Sequence, residues 1–251
     1  MIALDGATKR YGHTTVLDDV TISFGETGVT ALIGPNGAGK STLFGLVGRL
    51  IRPDAGTVTV DGKDVTKADS RDLARTIAVL RQDNHVAARL TVEDLVEFGR
   101  FPHSGGRLTV ADREHIERAI DDLDLQPYRH RFLDELSGGQ RQRAFVAMAL
   151  AQDTEYVLLD EPLNNLDPKH AVALMKLIAD LADDRGLKIV VVMHDINIAA
   201  QFADTIVAMR DGRVLHHGPV EEVVTVPKLV ELYETPVRVE QLNGRRVVLW
   251  D

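Results

Sequence analysis

Hydrophobic positions along the chain follow two rhythms. Ile2 and Leu4, then Val16, Val20, Ile22 and Phe24, recur as in short half-buried strands joined by glycine-containing turns. Thr57-Val58-Thr59-Val60 and the Asp61-Gly62 turn extend the pattern, so this part of the chain predicts a small antiparallel sheet. The second rhythm is unbroken. Val29–Ile33, Tyr156–Leu159 and Ile189–Met193 are continuous apolar runs, as expected of parallel strands covered on both faces. Ile77–Leu80, Ile206–Met209 and Arg213–Leu215 predict further strands. Thr42, Leu43, Phe44 and Leu46 have helical character, and a second helix is predicted from about Lys169 to Asp184. From about residue 84 to 150 the chain is polar and helix-rich. There Thr91-Val-Glu-Asp94 predicts a capping box ahead of Leu95, Val96 and Phe98, and the Pro102–Gly106 cluster predicts a loop. The whole reads as a parallel α/β core interrupted by a helical insertion.

Composition narrows the class. The 251 residues, 44% of them hydrophobic, suffice for one large domain or a domain with an inserted lobe. A net charge of −9 argues against a protein that coats nucleic acid. No cysteine is present, which excludes disulfides and thiolate metal sites. No apolar run approaches the roughly 18–20 residues that cross a bilayer, and Met1–Asp5 lacks the character of a signal peptide. Membrane association is therefore expected through a partner.

The chemistry begins after the first continuous run. Gly34, Pro35, Asn36, Gly37, Ala38, Gly39, Lys40 and Ser41 match G-x-x-x-x-G-K-[ST] between a predicted strand and a predicted helix, with Thr42 continuing into that helix. Glycines let backbone N–H groups turn inward around phosphate, and the helix aims its positive end at it. Lys40 supplies a compact charge for the outer phosphates, and the Ser41 hydroxyl suits Mg²⁺. Asp160-Glu161 follows the Tyr156–Leu159 run. Alternation along a strand lets one carboxylate face a metal while the next faces an attacking water. His194 ends the Ile189–Met193 run, at the carboxyl end where α/β sheets place ligands, and Gln82 leaves the Ile77–Leu80 strand with an amide oxygen suited to Mg²⁺. Leu136-Ser137-Gly138-Gly139-Gln140, just before an apolar helix, reads as a second anion cradle. One ATP does not need two cradles from one chain. The economical reading is that each chain binds ATP with the first and caps a partner's ATP with the second.

In this order the motifs resemble the ATP-binding subunit of an ATP-binding cassette (ABC) transporter over essentially the whole chain. The set runs from Tyr11 through the 34–41 loop, Gln82, residues 136–140, Asp160-Glu161 and Asn165-Leu166-Asp167 to His194. The resemblance implies an α/β fold: a P-loop NTPase (RecA-like) core with a flanking antiparallel β-subdomain and an inserted α-helical subdomain. Residues 1–251 would form a single ABC ATPase domain, with core and β-subdomain at 1–83 and 151–251 and the helical subdomain at 84–150. It implies ATP and Mg²⁺ as cofactors. Tyr11 would stack on adenine, and Ser41, Gln82 and Asp160 would hold Mg²⁺. Lys40 would grip phosphate, Glu161 would be the general base, and His194 would contact the γ-phosphate. Ser137, Gly138 and Gly139, with Gln140, would cap the opposite subunit's ATP, and Asp167 would sit at the interface of the homodimer.

Asp160–His170 and Phe98–Leu108 look more narrowly like the ATPases of bacterial iron–siderophore importers, and Asn164-Asn165, standing where most ABC ATPases carry a small residue pair, fits that branch. That likeness implies transmembrane permease subunits contacted by the stretch after Gln82 through about residue 106. It also implies an indirect partnership with a substrate-binding protein, no nucleic acid, and a place on the cytoplasmic face of the membrane. Heme and vitamin B12 importers are near alternatives. A soluble ABC ATPase is another, though the chain has room for neither a second cassette nor a long coiled coil. An ATP-holding module without turnover is opposed by Lys40, Glu161 and His194.

Overall fold

A computed structural model describes residues 1–26, 28–82, 84 and 88–251. Residues cluster into two compact units, Met1–Ala68 with Lys188–Asp251, and Asp69–Leu187.

In the first unit, β1 (Ile2–Tyr11), β2 (Thr14–Phe24), β4 (Ala55–Val60) and β5 (Lys63–Asp64) form an antiparallel sheet in the order β2-β1-β4-β5. The sequence predicted short strands here, but β1 and β2 run for 10 and 11 residues. Their register shifts between Leu4 and Ala7 and again near Lys9. Each irregularity breaks the two-residue alternation and hides the continuity of the strand. The Asp61-Gly62 turn has φ of 49° and 74°, left-handed at both positions as a tight hairpin requires. The second sheet portion places β3 (Val29–Ile33) between β8 (Lys188–Val192) and β9 (Thr205–Arg210), parallel to both. All five residues of β3 are buried, which is why it reads as an unbroken apolar run. β10 (Arg213–Pro219) pairs antiparallel with β9. The unit is completed by α1 (Lys40–Val47), α8 (Ile196–Phe202), α9 (Val220–Val223), α10 (Val226–Tyr233) and the hairpin of β11 (Val237–Leu242) with β12 (Arg245–Trp250).

The second unit pairs β6 (Ile77–Leu80) parallel with β7 (Tyr156–Asp160). Its helices are α2 (Ser70–Ala74), α3 (Val92–Phe98), α4 (Phe101–Ser104), α5 (Val110–Asp122), α6 (Gly138–Ala151) and α7 (Pro168–Arg185). Thr91 and Asp94 form the predicted capping box of α3, and Thr109 and Asp112 form another on α5. The predicted loop at 102–106 is in part the short α4. Pro102 fits a first helical turn, where its missing N–H costs nothing, and Gly105 ends the turn with φ 57°.

A buried ion pair ties this unit together. Arg100 Nε donates to Asp112 Oδ1 at 2.9 Å, and Arg100 Nη1 donates to the Ala151 carbonyl at 2.7 Å. Burial pushes the Asp112 carboxyl up. The Thr109 backbone N–H and hydroxyl, with the Arg100 guanidinium, outweigh this and hold it at about 2. Because that lies below the ordinary 3.8, the stabilisation is complete above about pH 4 and is lost as pH falls through about 2. Arg100→Met strands the carboxylate and is expected to lower unfolding stability by about 3–5 kcal/mol, read as a reduced urea midpoint.

Candidate functional site

The first unit gathers the phosphate loop, Tyr11 and His194. Gly34 leaves β3 at φ 144°, and a Cβ there would lie 2.0 Å from the Met209 carbonyl oxygen. Gly39 precedes α1 at φ 97°, with Leu17 and the Val16 carbonyl 2.9 Å from where a Cβ would be. Only glycine lets the loop fold this tightly against β2 and β9. The folded loop closes on its own lysine. Lys40, 5% exposed, donates from Nζ to the carbonyls of Gly34 at 2.8 Å and Pro35 at 3.0 Å. Ala38 is buried, its N–H donating to the Pro35 carbonyl at 3.2 Å, while Asn36, Gly37 and Ser41 face solvent and Thr42 is half-buried. The arrangement is a backbone nest with a cation at its base, at the N-terminal end of a helix.

His194 lies beside this loop in strand order. The Met193 N–H donates to Leu32 O at 3.0 Å, so β8 delivers His194 to the surface alongside the residues that carry β3 into Gly34. Both groups leave the carboxyl ends of adjacent parallel strands, and His194 is exposed. Tyr11 is 52% exposed at the end of the β1–β2 hairpin, with Lys9 Nζ 5.6 Å from its ring centroid.

The second unit gathers Gln82, Asp160, Glu161, Asp167 and residues 137–140. Leu80 pairs with Leu159, so Gln82 and Glu161 emerge at the same end of β6 and β7. Gln82 Nε2 donates to Glu161 Oε2 at 2.8 Å, and Asn164 Nδ2 donates to the same oxygen. Asp160 ends the strand half-buried. Glu161 lies beyond it in a left-handed conformation, φ 50°, so the pleat does not set its direction as the alternation of neighbouring carboxylates suggested. Asn164 as a partner of Glu161 was not foreseen. Its place three residues along a turn was the available sign.

Gly138 and Gly139 also differ from expectation: they form the first turn of α6 rather than a loop before it. Ser137 is the N-cap. Its Oγ accepts from the Gln140 N–H at 3.3 Å, and the Gln140 side-chain oxygen accepts from the Ser137 N–H at 3.0 Å. Ser137 and Gly138 are exposed, and Gly139 packs so closely on His170 that an added Cβ would lie 3.0 Å from the ring. Asp167 caps α7. It accepts from the His170 N–H at 3.0 Å and pairs with His170 Nδ1 at 2.7 Å, bonds that hold its carboxyl below the usual carboxylate range. Gln82, Gly138, Asn164 and Asn165 line one cleft of about 260 Å³.

A second groove, about 450 Å³, lies in the stretch the sequence assigned to a membrane partner. It is lined by Leu90, Asp94, Glu97, Phe98, Phe101 and Leu108, with Phe98 and Phe101 56% and 61% exposed. Burial, with Glu93 and Asp94 nearby, pushes Glu97 up. Residues 83 and 85–87 of that stretch lie outside the described residues. Among the described residues no helix is long and apolar enough to cross a membrane, and no group of three or more His, Asp or Glu could by itself hold a metal. The oxygen donors of Ser41, Gln82 and Asp160 fit Mg²⁺, which keeps much of its shell for water and phosphate and takes few protein ligands.

The sequence profile of the ABC transporter family matches residues 17–164. The petrobactin import ATP-binding protein FatE of Bacillus anthracis is 50% identical over 97% of each chain. The petrobactin import ATP-binding protein YclP of Bacillus subtilis (strain 168) is 44% identical over 98% of each. The dimeric structure of MJ0796, a bacterial ABC transporter cassette, superposes with a TM-score of 0.77 at 30% identity, covering 88% of this chain and 99% of that one.

Proposed function

We propose, from the premise that this chain belongs to the ABC transporter family, that it is the ATP-hydrolysing subunit that powers import of a ferric siderophore through a membrane permease. The observation that carries the reading is 44% and 50% identity with two importer subunits over nearly the whole of each chain, joined to an intact phosphate loop, Glu161 and His194. Both relatives are named for petrobactin, which makes ferric petrobactin the first ligand to test.

In this reading the core is residues 1–83 and 151–251, and the helical subdomain is 84–150. The Gly34–Gly39 amides and Lys40 hold the β- and γ-phosphates, and Tyr11 stacks on adenine, a contact worth about 1–3 kcal/mol. Ser41, Gln82 and Asp160 hold Mg²⁺, which when bound offsets the phosphate charge. Gln82 has its amide nitrogen on Glu161, which leaves its oxygen for the metal. Glu161 orients and deprotonates the attacking water, and His194 contacts the γ-phosphate. Two copies sandwich ATP. Ser137, Gly138, Gly139 and Gln140 of one present helix-end N–H groups to the nucleotide on the other, with Asp167 at the interface. The Phe98–Phe101 groove receives the permease on the cytoplasmic face of the membrane.

The test is purification of the tagged full-length chain from membranes with its permease, followed by ATPase assay in vesicles. Addition of a binding protein loaded with ferric petrobactin is expected to stimulate turnover several-fold over the empty binding protein. A chain that brings no integral membrane protein with it supports the soluble ABC ATPase instead.

A further inference from the structure

Residues 237–250 lie beyond the span of the family profile and form a two-stranded hairpin. Such a hairpin is marginal in water by itself, so its attachments matter. Arg246 Nη1 donates to the Val224 carbonyl at 2.6 Å, and a second attachment is to the start of α8. Asn197 Nδ2 donates to the Val248 carbonyl at 3.1 Å, and the Val248 N–H donates to Asn197 Oδ1 at 2.7 Å. One planar amide thus satisfies both backbone groups of Val248 and stands in for a neighbouring strand. Val248 is buried, and Trp250 meets Tyr233 edge-on with ring centroids 5.2 Å apart. Burial and the nearby Asp195 carboxylate push the Tyr233 phenol up to about 12.

The start of α8 is also the chain segment directly after His194. Asp195 is the N-cap, accepting from the N–H groups of Asn197 at 2.8 Å and Ile198 at 3.2 Å, and Ile196 is buried. On the other side, Met193 is fixed to β3 through Leu32. His194 is therefore a single exposed residue between two anchored points. The second anchor is made by its own helix cap together with the hairpin.

We propose that Asn197 is a positioning residue: through its two-point grip on Val248, the C-terminal hairpin braces the backbone that aims His194. This rests on the reading of His194 as the γ-phosphate contact. The loss of a contact that only orients a catalytic group lowers kcat while leaving nucleotide binding in place.

The experiment is steady-state ATPase of the full-length chain carrying Asn197→Leu, Asn197→Asp, His194→Ala, or His194→Ala with Asn197→Leu. Asn197→Asp keeps shape and the acceptor for the Val248 N–H but removes the donor, so it tests the grip even where Asn197→Leu folds poorly. Each Asn197 variant is expected to lower kcat about ten-fold with KM for ATP changed less than about two-fold. The double variant is expected to be no slower than His194→Ala alone, because Asn197 acts through His194. Wild-type kcat in the Asn197 variants, or losses that multiply in the double variant, overturn the proposal. Wild-type turnover in His194→Ala overturns instead the reading on which it rests, and the proposal with it.

Discussion

Glu161→Gln is expected to cut ATP turnover by about 10²–10⁴-fold, the range for removal of a general base, while leaving ATP binding intact. The proposed phosphate grip is assigned to Lys40, which bonds the Gly34 and Pro35 carbonyls, and to the Gly34–Gly39 backbone, none of which the substitution touches. The amide is nearly the same size as the carboxylate, so the turn at φ 50° and the neighbouring Asn164 and Gln82 are not crowded. What is lost, in the proposed mechanism, is the group that takes the proton from water. With hydrolysis stalled, the ATP-bound dimer should accumulate, visible by light scattering as a doubling of mass on adding ATP. Vigorous phosphate release by this variant would remove Glu161 from its assigned role.

Ser137→Arg is expected to abolish turnover without preventing nucleotide binding by the same chain, because in the proposed sandwich the damaged contact lies on the other copy's ATP. Ser137 has a second job that complicates the substitution. It is the N-cap of α6, and losing a cap costs about 0.5–2 kcal/mol of stability. Ser137→Asp separates the two effects. Aspartate caps a helix as well as serine does, yet it sets a carboxylate against phosphate. Loss of ATPase in both variants, with fluorescent-nucleotide binding retained, is the expected pattern. Wild-type ATPase should also rise with the square of chain concentration at high dilution. First-order behaviour at every dilution, or full activity in Ser137→Asp, would sink the trans-capping model.

Much of the architecture was legible because burial leaves a mark on sequence. β3, β7 and β8 are covered on both faces, so their sequences are unbroken apolar runs, and the phosphate loop announced itself by spacing alone. The flanking sheet was legible in type but not in length, since the irregularities in β1 and β2 erase the alternation that marks a strand. The C-terminal hairpin went unread although its turn, Asn243-Gly244, carries the strongest short-range hairpin signal; both residues are left-handed, at φ 52° and 78°. Its strands are largely exposed, so the apolar pattern that flags a strand is weak there.

What the sequence alone determined was the family, the fold class and the chemical cast: a lysine and glycines for phosphate, carboxylates at a strand end, a histidine at another. These follow from local rules, because a strand–loop–helix with the right spacing folds one way wherever it occurs. Only the tertiary structure decided how those groups are held. Lys40 sits on the carbonyls of its own loop, and Glu161 receives Gln82 and Asn164 beyond the end of its strand. Asn197 reaches from α8 to a strand 51 residues away in sequence. Hydrogen bonds of this kind depend on direction and on distance in space, and neither is encoded in the spacing of residues along a chain.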